Sequence, residues 1–142
     1  MDVSRQVTIR AARSEDLAAI AAIQAASPEA AQWNPADYLK HDCRVAEVTS
    51  CVAGFLVTRP VGPGEREILN IAVVPARRRQ GIAKRLLEAE IAGSCGTWFL
   101  EVRESNSAAI NLYKTLGFQP AGHRQDYYSD PTEAAIVMRF FS

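Results

Sequence analysis

Apolar positions along the chain change period several times, and each change predicts an element. Val7 and Ile9 alternate with polar neighbours within residues 3–10 and predict a first strand. Leu17, Ile20, Ala21 and Ile23 then recur at helical spacing. Residues 15–26 therefore predict an amphipathic helix, with Ser14 as N-cap and Glu15 and Asp16 in its first turn. Ser27-Pro28 stops it. Residues 29–40 contain Trp33 and a second proline, Pro35, and predict a loop leading to a short helix near 35–41. The apolar-rich runs Cys43 to Val48 and Cys51 to Thr58 flank Thr49-Ser50 and predict an antiparallel hairpin. Residues 59–64 are turn-rich. Glu65 to Val74 predicts the next strand, its second half apolar enough for burial on both faces.

Residues 81–92 predict a helix with Ile82, Leu86, Leu87 and Ile91 inward and with Gly93 and Gly96 closing it. TWFLEVR at 97–103 predicts a strand. Strand, helix and strand in this order imply a parallel pair joined by a right-handed crossover. Residues 106–116 predict a further helix, with Ala109, Leu112, Tyr113 and Leu116 on one stripe and Gly117 at its end. Residues 118–128 and 134–141 predict two last strands joined around Asp130-Pro131. The pattern contains no internal repeat and no linker, and reads as one α/β (α+β) domain over residues 1–142.

Composition narrows the classes without changing this picture. With 142 residues, 48% hydrophobic and 23% charged, the chain is an ordinary soluble globular sequence. Its 16 basic and 16 acidic residues cancel, so charge gives no reason to expect nucleic-acid binding. No apolar run approaches the roughly 20 residues of a membrane span, and the first residues lack the apolar core of a signal peptide. Cys43, Cys51 and Cys95 are odd in number and lack CxxC spacing, as expected of reduced thiols in a cytoplasmic protein. Cys95 has no histidine placed to activate it as a nucleophile, and no metal site is expected because His41 and His123 lie far from any paired cysteines.

Candidate chemistry concentrates at residues 68–84, ILNIAVVPARRRQGIAK. A buried strand feeds a glycine-containing turn at a helix start, where free N–H groups and the positive end of the helix dipole favour an anion. Three adjacent arginines add to that preference. An arginine-rich surface turn and a nucleic-acid-binding run are the competing readings of Arg77 to Arg79.

The motif resembles that of the GCN5-related N-acetyltransferases (GNAT). Arg78-Arg79-Gln80-Gly81-Ile82-Ala83 fits the family's (Gln/Arg)-x-x-Gly-x-(Gly/Ala) pyrophosphate motif and stands, as there, after NIAVVP and before a helix. Within the family, LNIAV at 69–73, LEVRESN at 100–106, AINLYKTLGF at 109–118 and Tyr127-Tyr128 resemble the bacterial RimI-type enzymes, which acetylate the N-terminal alanine of a small-subunit ribosomal protein. The resemblance covers about residues 65–142. Before that it is one of layout, with Trp33-Asn34 similar to a Pro-Trp-Ser element. Gln32 stands where that proline would be, and Ala134 where an acidic residue is expected.

The resemblance implies a mixed central sheet of six to seven strands with about four helices, and parallel strands that splay at the cofactor site. It implies acetyl-CoA as cofactor, coenzyme A as product and direct transfer in a ternary complex. Backbone groups of Ile71, Ala72 and Val73 would pair with the pantetheine arm, and those of Arg78, Arg79, Gln80, Gly81, Ile82, Ala83 and Lys84 with the pyrophosphate. Glu101 would be the general base, or else a carboxylate neutralised by Arg103. Tyr113 would be the general acid, or a half-buried core tyrosine. Asn106 would touch the cofactor arm as well as cap its helix. Trp33, Tyr127 and Tyr128 would line the acceptor groove, or be packed core. The expected enzyme is a cytoplasmic monomer or weak dimer acting on a protein N-terminus. The other readings are a GNAT enzyme for a small amine or lysine side chain, and a non-catalytic acyl-CoA-binding module.

Overall fold

A computed structural model describes residues 6–93, 96–128 and 132–141. Val3, Cys95 and the Asp130-Pro131 junction lie outside the described residues. The elements are strands β1 (Val7–Ala11), β2 (Asp42–Val48), β3 (Cys51–Gly62), β4 (Glu65–Val73), β5 (Thr97–Arg103), β6 (Gln119–Tyr128) and β7 (Glu133–Phe141), with helices α1 (Leu17–Ala25), α2 (Ile82–Ala92) and α3 (Ser107–Thr115). Short 3₁₀ segments occupy Ser14–Asp16, Pro35–Lys40 and Pro75–Arg77, the second standing where a fourth helix is expected. The strands make the expected mixed seven-stranded sheet. Among the described residues no helix is long and apolar enough to cross a membrane, and no cluster of His, Cys, Asp and Glu could hold a metal ion.

The chain divides into two compact units, and β4 contributes to both. The first comprises residues 1–59 and 69–93. Its strands hydrogen-bond in the order β1-β2-β3-β4, with β1–β2 and β2–β3 antiparallel. The β2–β3 hairpin closes through Thr49 and Ser50, both at positive φ (48° and 67°), the backbone a two-residue primed turn requires. Ile20, Ile23, Tyr38, Val45, Phe55 and Val57 share one apolar core with Leu69 and Ala72 of β4. Helix α2 buries Ile82, Leu86 and Leu87 as its spacing predicts, but the fourth buried position is Glu90, not Ile91. Arg44 of β2 explains the exchange: its Nε donates to Glu90 at 2.6 Å, supplying the partner a buried carboxylate needs.

Helix α1 is entered differently from the expected Ser14 cap. The chain enters through the 3₁₀ turn Ser14–Asp16, whose last residue Asp16 reaches back to accept from the Arg13 N–H at 2.8 Å and makes no side-chain cap bond to α1 itself. Asp16 is buried, and Arg10 grips both its oxygens at 2.8 and 2.9 Å while also donating to Glu47. The Arg10 hydrogen bonds hold the Asp16 carboxyl below its ordinary range against the opposing effect of burial. A carboxyl depressed in the folded state stabilises it fully above the unfolded value near 4 and loses that contribution as pH falls towards the folded value. Asp16→Asn should therefore cost about 3 kcal/mol at neutral pH. In denaturant melts taken across pH, the gap from the parent should close below about pH 4. A gap independent of pH would show that the charge is not responsible.

The second unit comprises residues 60–68 and 94–142, in the strand order β4-β5-β7-β6. Strand β3 continues through Pro60 to Gly62, and only Pro63-Gly64 forms the turn, with Gly64 at φ 69°. β5 is parallel to β4 from Glu65↔Thr97 to Ile68↔Leu100, while β4 itself runs on to Val73 and β5 to Arg103. On its other side β5 pairs antiparallel with β7 over its whole length, and β6 pairs with β7 beyond. Trp98, Leu100 and Val102 alternate into the core, which leaves Phe99, Glu101 and Arg103 on the opposite, half-buried face.

Candidate active site

In the first unit the turn after β4 has the form the sequence predicts for an anion site. Gly81 is the N-cap of α2 and lies at φ 78°, ψ 12°, a left-handed conformation that costs any other residue about 1–2 kcal/mol. A Cβ built on Gly81 would meet nothing within 4 Å, so backbone conformation, not crowding by the protein, demands glycine there. The first intrahelical bond is donated by the Arg85 N–H to the Gly81 carbonyl at 3.0 Å. The N–H groups of Ile82, Ala83 and Lys84 precede it and have no carbonyl one turn earlier in the helix. Arg79, Gln80 and Lys84 are exposed. Arg78 is engaged: its Nε donates to the Val73 carbonyl at 3.2 Å and its Nη2 to Ser27 Oγ at 3.0 Å, with Glu29 at 3.5 Å.

Strand β4 runs unbroken to Val73 through the stretch where the pantetheine arm is expected. The Ile71 N–H donates to the side-chain Oδ1 of Asn70 at 3.0 Å. Ala72 and Val73 are buried, and the Val74 N–H donates to the Ala53 carbonyl at 2.8 Å. A Cβ on Gly54 of β3 would come within 3.1 Å of the Ala72 carbonyl, so β3 is kept bare beneath this part of β4. Trp33 is 45% exposed, which removes the core reading for it; its carbonyl accepts from Gln24 Nε2 at 2.6 Å. Gln32, in the position of the expected proline, ties its own loop: its Nε2, with two hydrogens to give, lies 3.0–3.1 Å from the carbonyls of Gln24, Ser27 and Ala30.

The second unit brings Glu101, Tyr127 and Tyr128 together. Glu101 does not pair with Arg103. Arg124 of β6 donates to its Oε1 at 2.6 Å, and Arg103 instead contacts Glu133 at 3.3 Å. Glu101 Oε2 is buried and meets no partner at full hydrogen-bond geometry, a costly state for a carboxylate oxygen. The Tyr127 hydroxyl nonetheless faces the carboxylate closely enough that its interaction with Glu101 is the main cause raising the Tyr127 phenol to about 12. Tyr128 donates its hydroxyl to the Glu101 carbonyl at 3.0 Å and lies under the Arg103 guanidinium at 4.5 Å. Burial, aided by neighbouring Tyr127 and Glu101, pushes the Tyr128 phenol up to about 12. Tyr127 is 43% exposed, edge-on to Tyr128 at 5.0 Å, with Arg124 stacked over it at 4.6 Å.

Tyr113 is buried on α3, its ring 5.7 Å from Phe118, and burial raises its phenol far above the usual value. Asn106 caps α3, its Oδ1 accepting from the Ala109 N–H at 3.2 Å. Beside the missing acidic residue at Ala134, Glu133 holds the Ser105 N–H and Arg103. Sequence reasoning missed two residues at these sites. Asn70 had a signal, a lone amide inside the apolar run ILNIAVV. Arg124 had none, because it reaches Glu101 across an intervening strand.

The chain is 45% identical over 94 residues to the ribosomal protein bS18-alanine N-acetyltransferase of Escherichia coli strain K12, a match spanning 61% of this chain and 62% of that enzyme. The crystal structure of the ribosomal-protein-S18-alanine N-acetyltransferase from Escherichia coli superposes with a TM-score of 0.80 at 34% identity, covering 95% of this chain and 93% of that one. Ard1 from Thermoplasma volcanium superposes with a TM-score of 0.88 at 28% identity over 96% and 97% of the two chains. The acetyltransferase (GNAT) family model matches residues 11–118, and the chain belongs to that family.

Proposed function

We propose that the protein transfers the acetyl group of acetyl-CoA to the N-terminal alanine of a small-subunit ribosomal protein, in the cytoplasm and within a ternary complex. The observation that carries this reading is the half-buried Glu101 carboxylate with one orphaned oxygen, beside the exposed ring of Tyr127. The kinship with bS18-alanine N-acetyltransferases supports the acceptor. Acetyl-CoA supplies the activated thioester and the thiolate that leaves. Its pyrophosphate suits the N–H groups opening α2 at Gly81, where no side chain occupies the space and the helix dipole favours negative charge. Backbone groups of Ile71 to Val73, apart from the Ile71 N–H that Asn70 takes and the Val73 carbonyl that Arg78 takes, hold the pantetheine arm as an added strand would be held, and Asn106 adds a contact from the head of α3.

Acid and base duties divide between two residues. Glu101 takes a proton from the acceptor ammonium, which frees the nitrogen lone pair for attack. Tyr113, kept protonated by its burial, returns a proton to the leaving sulfur. Trp33, Tyr127 and Tyr128 line the path of the acceptor peptide.

The test is acetyl transfer from acetyl-CoA to a peptide beginning with the alanine of that ribosomal protein, run beside the same peptide with a blocked N-terminus, a lysine peptide and a polyamine. Transfer to the free alanine terminus should be fastest. Equal, poor rates on all four would defeat the acceptor assignment, and tight acetyl-CoA binding with no turnover on any would leave only a binding module.

A further inference from the structure

Three buried polar side chains meet behind the 29–34 loop, and none belongs to the acid–base pair or the phosphate turn. Asn70 comes from β4, Gln24 from α1 and Tyr38 from the Pro35–Lys40 segment; they are 6%, 6% and 1% exposed. Tyr38 donates its hydroxyl to Gln24 Oε1 at 2.5 Å. Asn70 Nδ2 lies 3.0 Å from the Tyr38 hydroxyl, 2.9 Å from the Ala31 carbonyl and 3.2 Å from Gln24 Oε1. An amide nitrogen has two hydrogens, so the two shorter contacts take them. Each end of the cluster then grips backbone. Gln24 Nε2 holds the Trp33 carbonyl, Asn70 Nδ2 the Ala31 carbonyl, and Asn70 Oδ1 the Ile71 N–H.

A cluster of this kind is a poor way to gain stability, since each buried polar group must first recover its desolvation cost. What it does supply is position. It fixes the carbonyls of residues 31 and 33 against one backbone amide of β4. The start of the same loop is tied to the phosphate turn through Arg78, which lies 3.5 Å from Glu29 and donates to Ser27 just before the loop. The loop bearing Trp33 is thereby referenced twice to the segment assigned to the acyl donor.

We infer that Asn70, Gln24 and Tyr38 are positioning residues that hold Trp33 and its loop in register with the Ile71 backbone, and so set where the acceptor amine arrives. The inference rests on the acceptor and donor assignments made above. It makes acceptor binding, and not donor binding, the quantity these residues control.

The experiment compares Tyr38→Phe and Asn70→Ala with the parent protein. Tyr38→Phe is mild: it deletes one hydroxyl and leaves the ring 5.8 Å from Phe55. Asn70→Ala deletes the whole hub. Two readouts are taken, amide hydrogen exchange along the free chain and the KM for the alanine peptide beside the Kd for acetyl-CoA. Expected is faster exchange at residues 29–34 in both variants, and also at Ile71 in Asn70→Ala, where that amide loses its acceptor, by roughly five- to tenfold for the loss of one or two hydrogen bonds. The peptide KM should rise by a similar factor with the acetyl-CoA Kd unchanged. A purely structural role would lower Tm and speed exchange throughout the first unit with KM unmoved, and that result overturns the inference. Unchanged exchange at 29–34 in Tyr38→Phe also overturns it. If the parent acetylates none of the peptides, the proposed function fails by itself, and the exchange measurement alone decides this point.

Discussion

Glu101→Gln should lower kcat for acetyl transfer by about 10²–10⁴-fold, the span that general-base catalysis normally supplies. The substitution is nearly isosteric. It keeps an oxygen for Arg124 and removes only the capacity to accept a proton at the orphaned Oε2. Because Arg124 is largely exposed, losing the ion pair costs little stability. Acetyl-CoA binding should persist, which separates a chemical defect from a folding one. Steady-state rates on the alanine peptide, with acetyl-CoA binding measured alongside by calorimetry, check this. A kcat within a few-fold of the parent would refute the assignment.

Tyr113→Phe comes second in expected size, again about 10²–10⁴-fold in kcat for loss of a general acid. The ring sits against Phe118, so phenylalanine preserves the packing and little change in Tm is expected. The pH profile gives an independent handle. Burial raises the Tyr113 phenol in the folded protein, so the acid form persists into more alkaline solution than for a free tyrosine near 10. The parent rate should therefore show no decline from phenol ionisation up to about pH 10. An alkaline limb that appears in the parent below that pH and vanishes in Tyr113→Phe would contradict the burial argument. Phenylalanine at 113 with undiminished kcat would end the general-acid role.

Much of the fold was legible because its information is periodic and local. Period-two and helical spacing located seven strands and three α-helices, and a strand–turn–glycine–helix run marked the turn read as a candidate anion site. The errors share one physical cause, which is that they were decided by residues distant in sequence. Residues 59–64 carry turn signals throughout, yet only Pro63-Gly64 turns; Pro60 continues an extended chain, a backbone it adopts without strain. Ile91 looked more apolar than Glu90, but Arg44, far away in sequence, makes burial of the carboxylate tolerable. Arg103 was the obvious partner for Glu101 by parity along one strand. The actual partner lies on β6, beyond β7, in an order that strand patterns do not encode. Asn70 was visible as an anomaly and only the structure shows what it holds.

The commitment of Arg78 to the protein itself has a consequence for how the turn answers to ionic strength. A phosphate site built on mobile arginines weakens steeply as salt screens them. Here the guanidinium that begins the motif is already occupied by the Val73 carbonyl, Ser27 and Glu29. What remains at the head of α2 is a set of backbone dipoles fixed by the left-handed Gly81, with the exposed side chains of Arg79 and Lys84 beside them. Dipoles fixed at contact distance are screened far less than separated charges. A turn of this form should therefore lose its hold on an anion less steeply with added salt than one built on mobile arginines alone.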